Sequence, residues 1–229
     1  MIRINLVILI LIAGTLLVQV TGADIPAPRI EGLNLTNITE LQESGFRAME
    51  QRDWNTLLRI AGEGLARDQN DPQMYSMKGY ALRKLNRSQQ ALIEDSKAIA
   101  IEPNPVRYAN RGMTYLSLGN YSAALADGEN AISIIPDYSS GYALKSLAYQ
   151  KMGDITAAKE NIDKALAIKP DTASHLHYAG IIAMQDGNYE DAVYFLNRSI
   201  TIDPNYSLPW PGMTNATVDL ENVRKTSGG

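Results

Sequence analysis

Small and apolar residues recur at helical spacing over residues 38–206, and the recurrence has a longer period laid over it. The octet KAIAIEPN at 97–104 returns as NAISIIPD at 130–137, KALAIKPD at 164–171 and RSITIDPN at 198–205. Its prolines stand at 103, 136, 170 and 204, in steps of 33, 34 and 34 residues. Each octet predicts a helix end. In KALAIKPD, Ala165, Leu166 and Ile168 share one turn. Pro170 then stops the helix, because its nitrogen carries no proton and its ring excludes α geometry from the residue before it. The other half of each unit matches too: GMTYLSLGNYSAAL (112–125) aligns with SLAYQKMGDITAAK (146–159) and GIIAMQDGNYEDAV (180–193). Gly119, Gly153 and Gly187 fall where the first helix must turn with positive φ, and Asn86 holds the same slot one unit earlier.

A period of 34 residues, two helices per unit, small residues at fixed places and a closing proline resembles the tetratricopeptide repeat family. The resemblance covers residues 38–206. The bulky position 4 of that family's pattern is Leu41, Tyr75, Tyr108, Tyr142 and Leu176. Its small positions 8, 20 and 27 are Gly45, Gly79, Gly112, Ser146 and Gly180; Leu57, Ala91, Ala124, Ala158 and Ala192; and Gly64, Ala98, Ala131, Ala165 and Ser199. The resemblance implies an all-α fold, a right-handed α-solenoid of about five units at 38–71, 72–104, 105–138, 139–172 and 173–206. The first is degenerate, with Gln69 in place of the closing proline.

Two features depart from the pattern. Position 24, usually bulky and apolar, is Ala61, Asp95, Gly128, Ile162 and Leu196. Two readings compete: a small rotation of the second helix carries Asp95 to solvent and leaves Gly128 as a weak point, or the pair forms a polar dent between units two and three that admits a ligand group or water. The first is expected, because an unpaired buried carboxylate is costly. His175 and His177 stand two apart on a helix, pointing about 200° away from each other, so they are read as surface residues that share no metal. No glycine-rich phosphate loop or Ser-His-Asp set stands out. No catalytic, cofactor-binding or metal-binding residue is assigned, and the chain is expected not to be an enzyme.

The resemblance further implies that the first helix of each unit lines a concave groove that takes a protein or peptide. Carried onto this chain, that face is Phe46 and Met49; Tyr80, Arg83 and Lys84; Met113 and Leu116; Leu147 and Lys151; and His177, Ile181 and Met184. Met113, Leu116 and Leu147 are expected at its middle. Family members that clamp a peptide's C-terminal carboxylate use Lys and Asn at positions 5 and 9 of one unit, Asn at 6 of the next, then Lys and Arg at 2 and 6 of a third. Here only Asn110 matches, so that clamp is not expected.

Composition narrows the partners. A net charge of −4 and the lack of a basic stripe argue against nucleic acid, and with no cysteine there is no disulfide and no thiolate site. The start of the chain changes the picture most. Arg3, an apolar run from Ile4 to Val20 and the small residues Thr21-Gly22-Ala23 form a signal pattern, read as a cleaved export signal or an uncleaved anchor over residues 1–23. A Pro-rich linker follows at 24–37. Either reading places the solenoid outside the cytoplasm, secreted or in the cell envelope, with membrane contact only through residues 4–20. Seven glycosylation sequons begin at Asn34, Asn37, Asn86, Asn120, Asn197, Asn205 and Asn215, where 16 asparagines and 26 Ser or Thr would give about 2 by chance. Two explanations stand: an exported glycoprotein, or the shared liking of Asn and Ser for turns. Residues 207–229 are expected to form a tail in which Trp210 covers the end of the last unit. Ala216 to Lys225 are expected to form a short helix with Val218 and Val223 inward, and Ser227 to Gly229 to be disordered.

Overall fold

The computed structural model describes residues 37–204, 206 and 215–227. The signal segment, the linker up to Thr36, Asn34, Asn205, Trp210 and the last two glycines lie outside the described residues. Within them the chain is all helical, with eleven helices and no strand: α1 (Ile38–Glu50), α2 (Trp54–Arg67), α3 (Pro72–Lys84), α4 (Ser88–Ile101), α5 (Pro105–Ser117), α6 (Tyr121–Ile134), α7 (Ser139–Met152), α8 (Ile155–Ile168), α9 (Ala173–Gln185), α10 (Tyr189–Ile202) and α11 (Ala216–Ser227). None of these helices is long and apolar enough to cross a membrane.

Local chemistry sets the boundaries. The Oδ1 atoms of Asn37, Asp53, Asp71, Asn104, Asn120, Asp154 and Asn188 accept from backbone N–H groups in the first turn of the helix that follows each. Pro72 and Pro105 begin their helices, where a missing N–H costs nothing. Before each closing proline the C-cap residue is extended, with φ −146° at Glu102, −129° at Ile135, −136° at Lys169 and −141° at Asp203, the conformation a following proline demands. Asp68 takes the same geometry at −132° although Gln69 follows it, so unit one keeps the bend without the proline. The turns inside the units need positive φ, met by Gly119, Gly153, Gly187 and Asn86 and, unexpectedly, by Arg52 at +56°.

Packing runs from neighbour to neighbour. Each helix lies against the next, and α1, α3, α5, α7 and α9 also touch in succession, the arrangement of a solenoid. Close approach depends on the small positions: a Cβ on Gly112 would stand 2.2 Å from Leu144 Cδ2. One apolar cluster joins α1, α2 and α3 around Leu41, Leu57, Ile60 and Met77. A second runs from α5 to α9 around Leu144, Leu147, Ile162 and Ile182, and a third seats α11 on α10 through Leu196, Leu220 and Val223. In α11 the inward residues are Ala216, Asp219, Leu220 and Val223, whereas Val218 is exposed. Ser227 ends this helix rather than lying in a disordered tail.

Between the first two clusters the interior is polar. Asp95 is 3% exposed, so the expected rotation to solvent does not occur. Its Oδ2 accepts from Thr114 Oγ1 at 2.7 Å, and its Oδ1 lies where a Cβ on Gly79 would stand, 2.1 Å away. Beside it, Arg111 donates twice to the buried Asp127, at 2.9 and 2.7 Å. Gly128 is not a weak point either. A Cβ there would meet Lys145 Cγ at 2.6 Å and the Gly141 carbonyl at 3.2 Å, so its bareness lets α6 and α7 approach.

Candidate functional site

The first helices of units two to five, α3, α5, α7 and α9, enclose a hollow of about 240 Å³. Of the residues expected in the groove, Tyr80, Arg83, Lys84 and Met113 line it. Phe46, Met49, Lys151, Ile181 and Met184 are half-buried outside it; Phe46 and Met49 pack on the N-terminal cluster, Ile181 on the central one and Met184 on the last. Leu116, Leu147 and His177 are buried. The two leucines pack between α5, α7 and α9, where removing their apolar area from water stabilises the stack. The expected middle of the binding surface therefore keeps Met113 and loses its two leucines to the core.

The histidine reading is corrected in the same way. His175 and His177 are 3% and 0% exposed. His177 Nε2 lies 2.7 Å from Asp219 Oδ2, which ties α9 to α11, and the Tyr206 ring stands edge-on to its imidazole at 5.8 Å. Sequence periodicity could not find this contact, because Asp219 lies outside the repeat. Burial, with repulsion from Lys169 second, holds His175 down at about 4, and a backbone hydrogen bond with Lys169 only partly offsets this. It is neutral near pH 7.

The hollow also takes Asn110, Tyr138, Ser140, Ser174, His175, Tyr178 and Tyr206, none of which was expected there. A signal did exist: Ser140 and Ser174 share one repeat position, Asn110 and Tyr178 another, and Tyr138 and Tyr206 a third. Tyr178 and Tyr206 bring their hydroxyls to 3.0 Å. Burial pushes Tyr178 up to about 12 and raises Tyr206 well above the usual phenol value, so both hydroxyls stay protonated. On the opposite wall Arg83 lies over the Tyr80 ring at 5.1 Å, and Lys84 Nζ stands 5.4 Å from Trp54 and 5.6 Å from Tyr80. Burial brings Lys84 down to about 8, with Arg83 and Arg52 adding repulsion.

The sequons fall into two kinds. Asn37, Asn120 and Asn215 each cap a helix through Oδ1, and Asn86 holds a left-handed turn. Much of the sequon excess thus coincides with residues that helix ends require. Asn37, Asn86, Asn120 and Asn197 are exposed.

Comparison with known proteins matches this geometry to a repeat family. Two models described as tetratricopeptide repeat match residues 107–138 and 144–207. The chain is a tetratricopeptide repeat protein. Over 67 residues it is 40% identical to the Hsp70-Hsp90 organizing protein of Triticum aestivum, a match that spans 29% of this chain and only 12% of the wheat protein. Among solved structures it is similar to a thermophilic tetratricopeptide repeat protein of Thermus thermophilus, with TM-score 0.70 at 18% identity, covering 83% of this chain and 98% of that one. It is also similar to PilW, a widely conserved type IV pilus biogenesis factor, with TM-score 0.67 at 15% identity over 85% and 87% of the two chains. At these identities the likeness is one of fold.

Proposed function

We propose that this tetratricopeptide repeat protein is a non-catalytic scaffold that holds a protein or peptide in its concave hollow and acts outside the cytoplasm. The observation that carries the binding half is the hollow itself. Four successive first helices contribute to one concavity rimmed by Met113 and tyrosines, side chains that repack around a partner at little entropic cost. The wheat relative, named for organizing two other proteins, supports the same class of function. The location half rests on the charged, apolar and small-residue order of residues 1–23 and on the four exposed sequon asparagines.

A photo-crosslinking residue placed at Met113 is expected to trap a defined partner in the native host. The same residue at Ile93, an exposed position on α4 away from the hollow, is expected to trap none. Equal capture at both positions would remove the groove reading. For the location, the mature protein from its host should begin near Ala23 or Asp24 if the signal is cleaved, or sit in the membrane fraction with Met1 or Ile2 first if it is an anchor. Sugar mass on either form supports the envelope glycoprotein reading, which the exposed Asn86, Asn120 and Asn197 favour. A full-length chain in the cytosol refutes the location.

A further inference from the structure

The charge inside the hollow says what kind of group it takes, on the assumption that the scaffold reading holds. Arg83 is 3% exposed, and its Nε is buried with no hydrogen-bond partner. Lys84 stands next to it, held against two aromatic rings rather than a carboxylate. Asn110, Ser140 and Ser174 add neutral polar groups, and the buried His175 Nδ1 lacks a partner. No described residue lining the hollow is acidic, and the sequence holds no acid between Asp203 and Asp219, in a chain with 25 acidic and 21 basic residues. Asp95 interacts electrostatically with Arg83, but its hydrogen bond goes to Thr114 through Oδ2, and its Oδ1 is buried without a hydrogen-bond partner. Two adjacent cations with little access to water repel each other, and an arriving anion relieves that repulsion.

We propose that the hollow is a carboxylate site, in which an acidic residue of an extended peptide, or a peptide's free C-terminus, seats its carboxylate against Arg83 and Lys84. The cations come from the last turn of α3, not from the positions at which the family's clamp carries them; Ser140 and Leu144 stand at two of those. Size fits the assignment. At about 240 Å³ the hollow is below the roughly 300–1,000 Å³ of a drug-sized pocket and holds one or two side chains.

The test uses the full chain and three labelled peptides on one Gly-Ser-Tyr background: a central Glu with an amidated end, a central Gln with a free carboxyl end, and a central Gln with an amidated end. Fluorescence anisotropy should show one charged peptide binding at least about tenfold more tightly than the neutral one, and which of the two does so identifies the source of the carboxylate. Lys84→Met should abolish that preference while leaving the circular dichroism unchanged. Because Arg83 is buried, the wild-type chain supplies the second readout. In lysine-selective NMR the Lys84 midpoint, about 8 when empty, should rise by about one unit with the charged peptide bound. Equal binding of charged and neutral peptides, an unmoved Lys84 midpoint, or a preference that survives Lys84→Met overturns the carboxylate assignment and leaves the groove reading standing. No binding by any of the three at millimolar concentration overturns the assignment as well, and the Met113 crosslink then decides the groove separately.

Discussion

Units two and three meet through a polar seam, whereas units four and five meet through an apolar joint, although the same repeat positions build both. At position 24 the joint has Ile162 and Leu196, each buried among aliphatic neighbours. The seam has Asp95 and Gly128. At positions 7 and 23, unit two places Lys78 and Glu94 3.1 Å apart, with Lys97 also within 3.4 Å of Glu94. Unit three places Arg111 and Asp127 there in a two-pronged pair, with the carboxylate buried. One backbone period therefore tolerates opposite chemistries, even though the seam leaves Asp95 Oδ1 buried without a hydrogen-bond partner. A solenoid allows this because each unit answers only to its neighbours.

The sharpest way to break the comparison is Arg111→Met. It leaves Asp127 buried without its cation, and such losses cost about 3–5 kcal/mol. The repeat-equivalent Lys78→Met should cost under about 1 kcal/mol, because Lys97 remains and the pair is partly solvated. Urea unfolding of both variants measures the contrast, and equal losses would mean that the seam is no more demanding than the surface. In the apolar joint, Ile162→Ala should cost about 2–4 kcal/mol through lost burial and a cavity.

Asp95 sharpens the comparison through pH. Burial pushes its carboxyl up to about 6, with the Thr114 hydrogen bond and then Arg83 and Arg111 pulling down and Asp127 pushing up. In the unfolded chain it titrates near 4. Between about pH 4 and 6 the folded state therefore binds more protons than the unfolded one, so this group's contribution to stability falls as pH rises through that window. Above it the penalty is present in full, at most about 3 kcal/mol. Asp95→Asn keeps an oxygen for Thr114 and removes the charge. Its stability relative to wild type should improve from pH 4 to pH 6 and then level off. A stability difference that does not move with pH would show that Asp95 is already neutral or fully compensated.

The two regions also differ in how far they can be read from sequence. Helices, turns and the small positions were legible because each obeys a local rule: proline ends a helix, glycine takes positive φ, alanine fits where backbones approach. Which wall of a helix meets the hollow was only partly legible. Tyr80, Arg83, Lys84 and Met113 were found by position, while Leu116 and Leu147 were assigned to the same face and belong to the core. Helical phase alone does not separate a side chain lining the hollow from one wedged between neighbouring first helices. Asp95 was misplaced because the cost of burying a carboxylate was weighed without Thr114, nineteen residues away, whose hydroxyl lowers it. His177 was misplaced for the same kind of reason, its partner Asp219 coming from a helix outside the repeat.

The smallest effect tests the local rules where unit one breaks them. Arg52 takes φ +56° in the turn where later units use glycine or Asn86. A side chain in this left-handed region costs about 1–2 kcal/mol, and glycine removes that cost while adding freedom to the unfolded chain. The Arg52 side chain reaches Asp203 at 3.5 Å, with both groups substantially exposed, so this pair returns little when kept. Arg52→Gly should thus stabilise the fold by about 0.5–1 kcal/mol, read as a rise in urea midpoint at unchanged slope. Asn86→Gly should gain less, since asparagine tolerates the conformation better than arginine. A loss of stability in Arg52→Gly would mean that the contact reaching from the first turn of the solenoid to the end of α10 outweighs the backbone strain, and that unit one keeps its arginine for the sake of unit five.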